Sequence, residues 1–240
     1  MYRLCWTVDP LASIYVVHSH IDKYMMQLLE KTESSHYIGI LGINGSANPK
    51  YLIAPDYKKG RPVDKPPHWT IVLNYLISKW KFVPIAACET DDAIALCANH
   101  LDNALVVSAD KDLLQIAGKH FIMGVQRKGE TIREDKFKTV TVDEATFNYY
   151  KQLLMGDAVD NVKGLHGIGE KTATKLLEGK SLEEMKQIVE EQYAKYHDNW
   201  KEVLEVTKAL ILINPFNAVN AGFICPEPIL HNYKNITYDY

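Results

Sequence analysis

The stretch from Phe82 to Ala117 passes through four elements in 36 residues and carries acids at the junctions. Phe82-Val83-Pro84-Ile85-Ala86-Ala87 reads as a short buried strand, residues 91–101 as a helix, 104–108 as a second strand and 112–117 as a helical turn. Strand, helix, strand at this spacing predicts a βαβ unit, and with it a parallel sheet joined by right-handed crossovers. A Pro-rich loop, Arg61-Pro62-Val63-Asp64-Lys65-Pro66-Pro67, precedes an amphipathic helix over 68–80.

Beyond residue 140 the strand signals stop. Residues 142–155, 171–177, 182–196 and 200–213 all read as helices. Ser181 with Glu184 forms a capping box, Asp198 is placed to cap the next helix, and Pro215 to end it. The expected fold class is therefore α/β: a mostly parallel central sheet with flanking helices over 1–140, then a helical region over 141–240. From Asn214 onward the pattern carries no signal.

Composition excludes several classes. Hydrophobic residues make up 47% and charged residues 24% of the 240, which suits a packed core and not a disordered chain. The longest apolar runs fall far short of the ~20 residues of a membrane span, and no export signal precedes Asp9-Pro10. Four scattered cysteines form no CxxC pair, so neither zinc nor a disulfide framework is expected, and a reducing cytoplasm is the expected compartment. The net charge is −3, so a polyanionic partner would have to meet a local basic patch.

The acids gather in three groups: Glu89, Asp91 and Asp92; Asp110 and Asp112; Asp157 and Asp160. The first two follow the two strands directly, and open α/β sheets bind ligands beyond the carboxyl ends of their strands. Taken singly each group has a plain explanation. Glu89-Thr90-Asp91-Asp92 suits a helix N-terminus, and Asp157 an Asx turn. Together they would repel one another unless a cation neutralised them. Oxygen-only ligation points to Mg²⁺ or Mn²⁺. Asp157 and Asp160, three apart and on one face if helical, would complete a two-metal site acting on a phosphoryl centre.

Gly164-Leu165-His166-Gly167-Ile168-Gly169-Glu170-Lys171-Thr172 fails as a nucleotide-binding loop, because Glu170 interrupts the Gly-Lys-Thr run and no strand precedes it. A helix, a glycine-rich turn and a second helix over about 150–178 instead suggest a helix–hairpin–helix. Gly164, Gly167 and Gly169 would let backbone N–H groups approach DNA phosphates, with Lys171 and Thr172 in the following first turn. Tyr57-Lys58-Lys59-Gly60-Arg61 adds an aromatic among cations, able to hold phosphate and stack on an unpaired base, or to form a solvated surface.

These motifs, Tyr57-Lys58-Lys59-Gly60-Arg61-Pro62, Glu89-Thr90-Asp91-Asp92, Ser108-Ala109-Asp110-Lys111-Asp112-Leu113-Leu114-Gln115 and Met155-Gly156-Asp157 through Thr172, resemble those of the 5′ nuclease family in order and spacing. The family comprises flap endonucleases, the 5′-nuclease domain of bacterial DNA polymerase I and phage 5′–3′ exonucleases, and the chain is most similar to a stand-alone phage enzyme. The resemblance implies divalent metal, two Mg²⁺ or Mn²⁺ ions, held by Glu89, Asp91, Asp92, Asp110, Asp112, Asp157 and Asp160. It also implies Lys58 on the reacting phosphate with Asp110 and Asp112 in catalysis, Tyr57 stacked on the terminal base, Arg61 on DNA, an arch near 57–80, and K⁺ at the hairpin. The expected partner is DNA with 5′ ends or flaps, with no membrane, no nucleotide cofactor and a monomeric chain.

Two departures lie upstream. Family members open with an aspartate-bearing strand followed by a Tyr-Arg pair, and here Tyr2-Arg3 begins the sequence. The expected alignment omits that strand, as in a shortened gene product, with Asp9 as the alternative occupant. Tyr37-Ile38-Gly39-Ile40-Leu41-Gly42-Ile43 matches the family's next strand, with Ile43 where its acid would stand. The expected function is a divalent-metal-dependent 5′–3′ exonuclease or flap endonuclease. The alternative is a branched-DNA-binding relative that cuts poorly or not at all, and a nucleotide-dependent ATPase is disfavoured by Glu170.

Overall fold

The computed structural model describes residues 2–43, 48–61, 64–127 and 130–230. Along the chain α1 (Tyr2–Trp6) and α2 (Ile14–Lys31) lead to β1 (His36–Tyr37) and β2 (Ile40–Gly42). Then come α3 (Lys50–Ile53), α4 (Trp69–Ser78), β3 (Val83–Ile85), α5 (Thr90–His100) and β4 (Leu105–Ser108). A 3₁₀ turn over Asp112–Gln115 precedes β5 (Gly118–Ile122), β6 (Val125–Arg127), β7 (Glu130–Arg133) and β8 (Lys136–Val140). The chain continues with α6 (Val142–Met155), β9 (Gly156–Asp157), β10 (Val162–Lys163) and α7 (Glu170–Leu177). It closes with α8 (Leu182–Tyr196), α9 (Trp200–Ile211), α10 (Pro215–Asn220) and β11 (Ile229–Leu230).

Packing sorts the described residues into two compact units, one drawn from 1–44, 62–86 and 224–240 and the other from 45–61 and 87–223. The division expected at residue 140 is corrected accordingly. The chain crosses between units several times, because α3 packs against α9 in the second unit and β11 pairs with β1 in the first. The expected arch over 57–80 is likewise shared, with 57–61 in one unit and 64–80 in the other.

In the first unit β2 and β3 pair in parallel, Ile40 opposite Val83 and Gly42 opposite Ile85, and the Ile43 N–H extends the ladder to the Ile85 carbonyl at 2.8 Å. Helix α2 was not foreseen, yet its logic is simple. Val17, Ile21, Met25 and Leu29 recur every fourth residue and are all buried, packing with Val72, Leu76 and Trp80. Charged and histidine residues between them hide the stripe from a run-based reading. Asp22 fixes the packing by accepting from Tyr75 Oη and Trp80 Nε1, each at 2.8 Å. Tyr2-Arg3 opens a helix, and the Asp9 carboxylate accepts the Leu11 N–H at 2.8 Å in the turn before α2.

In the second unit β4 and β5 run parallel, and β8 joins β5 antiparallel, while β6 and β7 form a hairpin. Each unit has its own parallel pair, β2 with β3 in the first and β4 with β5 in the second. Helices α6 to α9 enclose a core of Leu153, Leu154, Leu177, Val189, Tyr193 and Leu204. Thr141 caps α6 by accepting from Glu144 N at 3.1 Å, and the Ser181–Glu184 capping box starts α8 as expected. Two terminal assignments are corrected. Asn199, not Asp198, occupies the cap position of α9, and Pro215 opens α10 behind Asn214, whose side chain accepts from Phe216 N at 3.1 Å.

Candidate metal and nucleic-acid site

The seven acids of the three groups, with Tyr57, Lys58 and Arg61, belong to the second unit, whereas Asp9 belongs to the first. They arrive from three directions. Glu89 is the residue before α5, and Asp91 and Asp92 stand in its first turn. Asp110 and Asp112 follow β4, where Ser108 Oγ accepts the Asp110 N–H and Asp110 Oδ1 accepts the Asp112 N–H, both at 3.0 Å. Asp157 ends β9 and Asp160 lies in the β9–β10 turn.

One cleft is lined by Glu89, Asp91, Asp92, Asp112, Asp157 and Asp160. Asp110 faces it electrostatically, since its charge acts on both Asp91 and Asp112. The Asp157–Asp160 segment is a hairpin turn, which corrects the helical-face expectation. Asp157 Oδ1 accepts from Val159 N at 2.8 Å and from Asp160 N at 3.3 Å, the Asx geometry that the sequence offered as the plainer explanation. Turn and cleft wall are made by the same residues.

Burial and neighbouring negative charge raise two of the cleft carboxyls that face the other acids. Asp91 is pushed up to about 7, first by burial, then by the charges of Asp110 and Glu89, with Lys58 opposing. Asp112 is pushed up to about 6 by burial, Asp110 and Asp157. A wall of hard oxygen donors with surplus negative charge fits a divalent cation such as Mg²⁺ or Mn²⁺. Among the described residues the acids line the wall without three of them closing on a common point.

The basic segment answers this charge. Lys58 Nζ lies 2.5 Å from Glu89 Oε2 and 3.7 Å from Asp160 Oδ2, and Arg61 Nη2 donates to Asp160 Oδ1. Tyr57 departs from expectation: it is 4% exposed and packs in the helical core, and its hydroxyl donates to Asp160 Oδ2 at 2.9 Å. A ring so buried has no face free to stack on a base, so the stacking role is corrected to an anchoring one. Asp92 is corrected too. It is 1% exposed, and its two oxygens accept from Asn214 N at 2.7 Å and Asn217 Nδ2 at 3.0 Å, tying α5 to α10.

Sequence reasoning passed over Asn48, Lys50 and Arg133. Asn48 Nδ2 donates to Glu89 Oε1, and buried Lys50 donates to the Leu210 carbonyl at 2.8 Å at the cleft wall. No local spacing signals such contacts, because the partners lie 41 and 160 residues apart.

The glycine-rich segment runs from β10 into α7. Gly164 is packed tightly: a Cβ there would stand 2.0 Å from the Met155 carbonyl oxygen. Gly167, at φ +75°, and Gly169 are open to solvent, and Lys171 and Thr172 are exposed in the first turn of α7. The three glycines thus divide into one that packs backbone on backbone and two that leave room for a ligand.

No family model matches the chain. Sequence relatives are nonetheless clear. DNA polymerase I of Bacillus subtilis is 29% identical over 235 residues, 89% of this chain and 26% of the polymerase. DNA polymerase I of Caldicellulosiruptor bescii is 32% identical over 152 residues, 59% of this chain and 17% of the polymerase. The 5′–3′ exonuclease of Aquifex aeolicus is 30% identical over 162 residues, 64% of this chain and 56% of that protein. The chain thus matches little more than half the length of the exonuclease and a smaller share of the polymerases.

Among solved structures, the phage T5 5′-exonuclease aligns with a TM-score of 0.55 at 18% identity, covering 91% of this chain and 87% of that one. A T5 flap endonuclease in complex with DNA and metal ions aligns equally, at a TM-score of 0.55 and 18% identity over 89% of this chain and 85% of its own. The mixed α/β fold is that of the T5 enzyme. Relatives named DNA polymerase I and 5′–3′ exonuclease, and likeness in fold to the T5 5′-exonuclease, agree with the resemblance of the motifs to the 5′ nuclease family.

Proposed function

We propose that this chain is a divalent-metal-dependent 5′ nuclease that hydrolyses DNA phosphodiesters near 5′ ends or flaps. The observation that carries this reading is the single cleft in which acids from α5, from the end of β4 and from the β9–β10 turn meet a cation, Lys58. Naming a relative a 5′–3′ exonuclease, and a structural neighbour a flap endonuclease in complex with DNA and metal ions, supports it.

In this reading Glu89, Asp91, Asp110, Asp112, Asp157 and Asp160 hold two Mg²⁺ or Mn²⁺ ions. Bound metal would supply an activated water and neutralise charge on the leaving oxygen. Lys58 is the chain's own contribution to the developing phosphate charge, positioned by its backbone N–H, which donates to the Asp160 carbonyl at 2.8 Å. Tyr57 and Arg61 hold Asp160 in place from either side. Gly167, Gly169, Lys171 and Thr172 form the duplex-gripping turn, where exposed N–H groups and one lysine meet phosphates without reading bases. A K⁺ ion at this turn, a monomeric chain and a cytoplasmic setting belong to the same reading.

The test is cleavage of a 5′-flap and a blunt duplex with Mg²⁺, with Mn²⁺ and with EDTA. Metal-dependent release of 5′ products is expected, with Asp110→Asn slower by at least about 100-fold, the scale of losing a main transition-state contact. Ile43, standing where the family's strand carries an acid, favours a second reading in which the chain binds branched DNA without cutting it. Tight flap binding with no metal-dependent cleavage would decide for that reading.

A further inference from the structure

Arg133, at the end of β7, lies outside all three groups of cleft acids in the sequence, yet its guanidinium reaches the loop that carries Asp110. Nη2 donates to the Ala109 carbonyl and to the Met123 carbonyl, each at 2.8 Å. The two N–H groups of one nitrogen are thereby spent on two strand ends. Ala109 immediately precedes Asp110, and Met123 immediately follows β5, whose N–H bonds back to the Ser108 carbonyl at 2.9 Å. The arginine closes a ring through Ser108, Ala109 and Met123 at the point where β4 gives way to the acids. Its Nε is buried with no acceptor among the described residues, a cost tolerated for the sake of the Nη2 contacts.

We propose that Arg133 is a positioning residue for the Asp110 carboxylate: it fixes the Ala109–Asp110 peptide and so the direction in which Asp110 presents its oxygens to metal. The inference rests on the reading of the cleft as a metal site. The planar guanidinium directs the two N–H bonds of Nη2 at fixed angles to the two carbonyls; a lysine ammonium on a flexible stem holds such a pair less rigidly.

The experiment titrates the full chain with Mn²⁺ alone, by calorimetry in the absence of DNA, and measures cleavage of a 5′-flap in parallel. Arg133→Met is expected to weaken Mn²⁺ binding by about 10- to 100-fold, as losses of groups that orient metal ligands do. Arg133→Lys is expected to fall between Met and the parent. In an Asp110→Asn background Arg133→Met should cost little further, since the group it orients is already gone. Arg133→Met that binds Mn²⁺ as the parent does, or that costs as much in the Asp110→Asn background as alone, overturns the positioning role. Should Arg133→Met fail to fold, the same comparison is made with Arg133→Lys. A parent that binds Mn²⁺ but cuts nothing removes the nuclease reading while leaving Arg133 testable by titration. A parent that binds no Mn²⁺ removes both.

Discussion

Lys58 Nζ and Glu89 Oε2 stand 2.5 Å apart, joining the basic segment to the first group of acids across 31 residues of sequence. The lysine takes a left-handed backbone conformation, φ +59°, and its N–H is held by the Asp160 carbonyl at 2.8 Å. Both ends of the residue are therefore fixed on acids of the cleft, one from each side.

Replacing Lys58 by Ala is expected to lower kcat by about 100-fold while changing DNA affinity only a few-fold, because the charge counts where phosphate charge develops. The same change removes the charge that opposes the rise of Asp91, so Asp91 should hold its proton to higher pH. Single-turnover rates across a pH series check both parts. A loss confined to affinity, with kcat and the acid limb unmoved, would sink the role.

Tyr57→Ala should act as a core deletion, since the ring packs with Leu153, Leu154 and Tyr51. A loss of about 3 to 5 kcal/mol in denaturant unfolding is expected, against about 1 kcal/mol for Tyr57→Phe, which keeps the ring and drops the bond to Asp160. Flapped and fully paired substrates should be affected alike. A loss in Tyr57→Ala selective for flapped over paired DNA, with Tyr57→Phe unaffected, would restore stacking on unpaired bases.

The raised carboxyls link pH to stability. Asp91 in the folded chain holds its proton up to about 7 against an ordinary 3.8, so between those values the folded state binds more protons than the unfolded one. Its contribution then makes the metal-free chain less stable as pH rises through this window. Divalent metal affinity should grow over the same range, because ligation needs the ionised form. Melting points in EDTA at about pH 5 and about pH 7.5, repeated with Mn²⁺, check this; Asp91→Asn should flatten the EDTA series and weaken the Mn²⁺ response.

The glycines separate by what surrounds them. Gly164→Ala drives a Cβ into the Met155 carbonyl and should destabilise the fold by several kcal/mol, within the range of overpacking at a backbone contact. Gly169→Ala meets nothing and should fold normally, and Gly167→Ala should cost about 1 to 2 kcal/mol for its positive φ. Lys171→Ala, exposed in the first turn of α7, should leave melting unchanged and reduce the salt slope of duplex binding by about one. Binding isotherms at several salt concentrations decide whether this turn grips DNA; an unchanged slope excludes it.

By itself the sequence determined the local elements and the inventory of the site. The apolar period and caps of α6 and α8 are written within about four residues of each position, so both helices were legible with their bounds. The acids at the junctions of α5, β4 and β9 were legible for the same reason: each sits beside the element that ends or begins there. Strands β5 to β8 escaped, because β5 buries three successive residues and β7 leaves three successive residues exposed, so neither alternates as a half-buried strand should. Only the tertiary structure decided how the inventory is used. Tyr57 became a core residue because it packs into the cluster built by the C-terminal helices, and Asp92 was taken up at the start of α10, 122 residues further on. Arg133 acquired its carbonyls only when β5 brought Met123 beside Ala109. Periodicity and capping are short-range and survive in any fold, whereas the partner of a buried polar group is chosen by whichever distant segment packs against it.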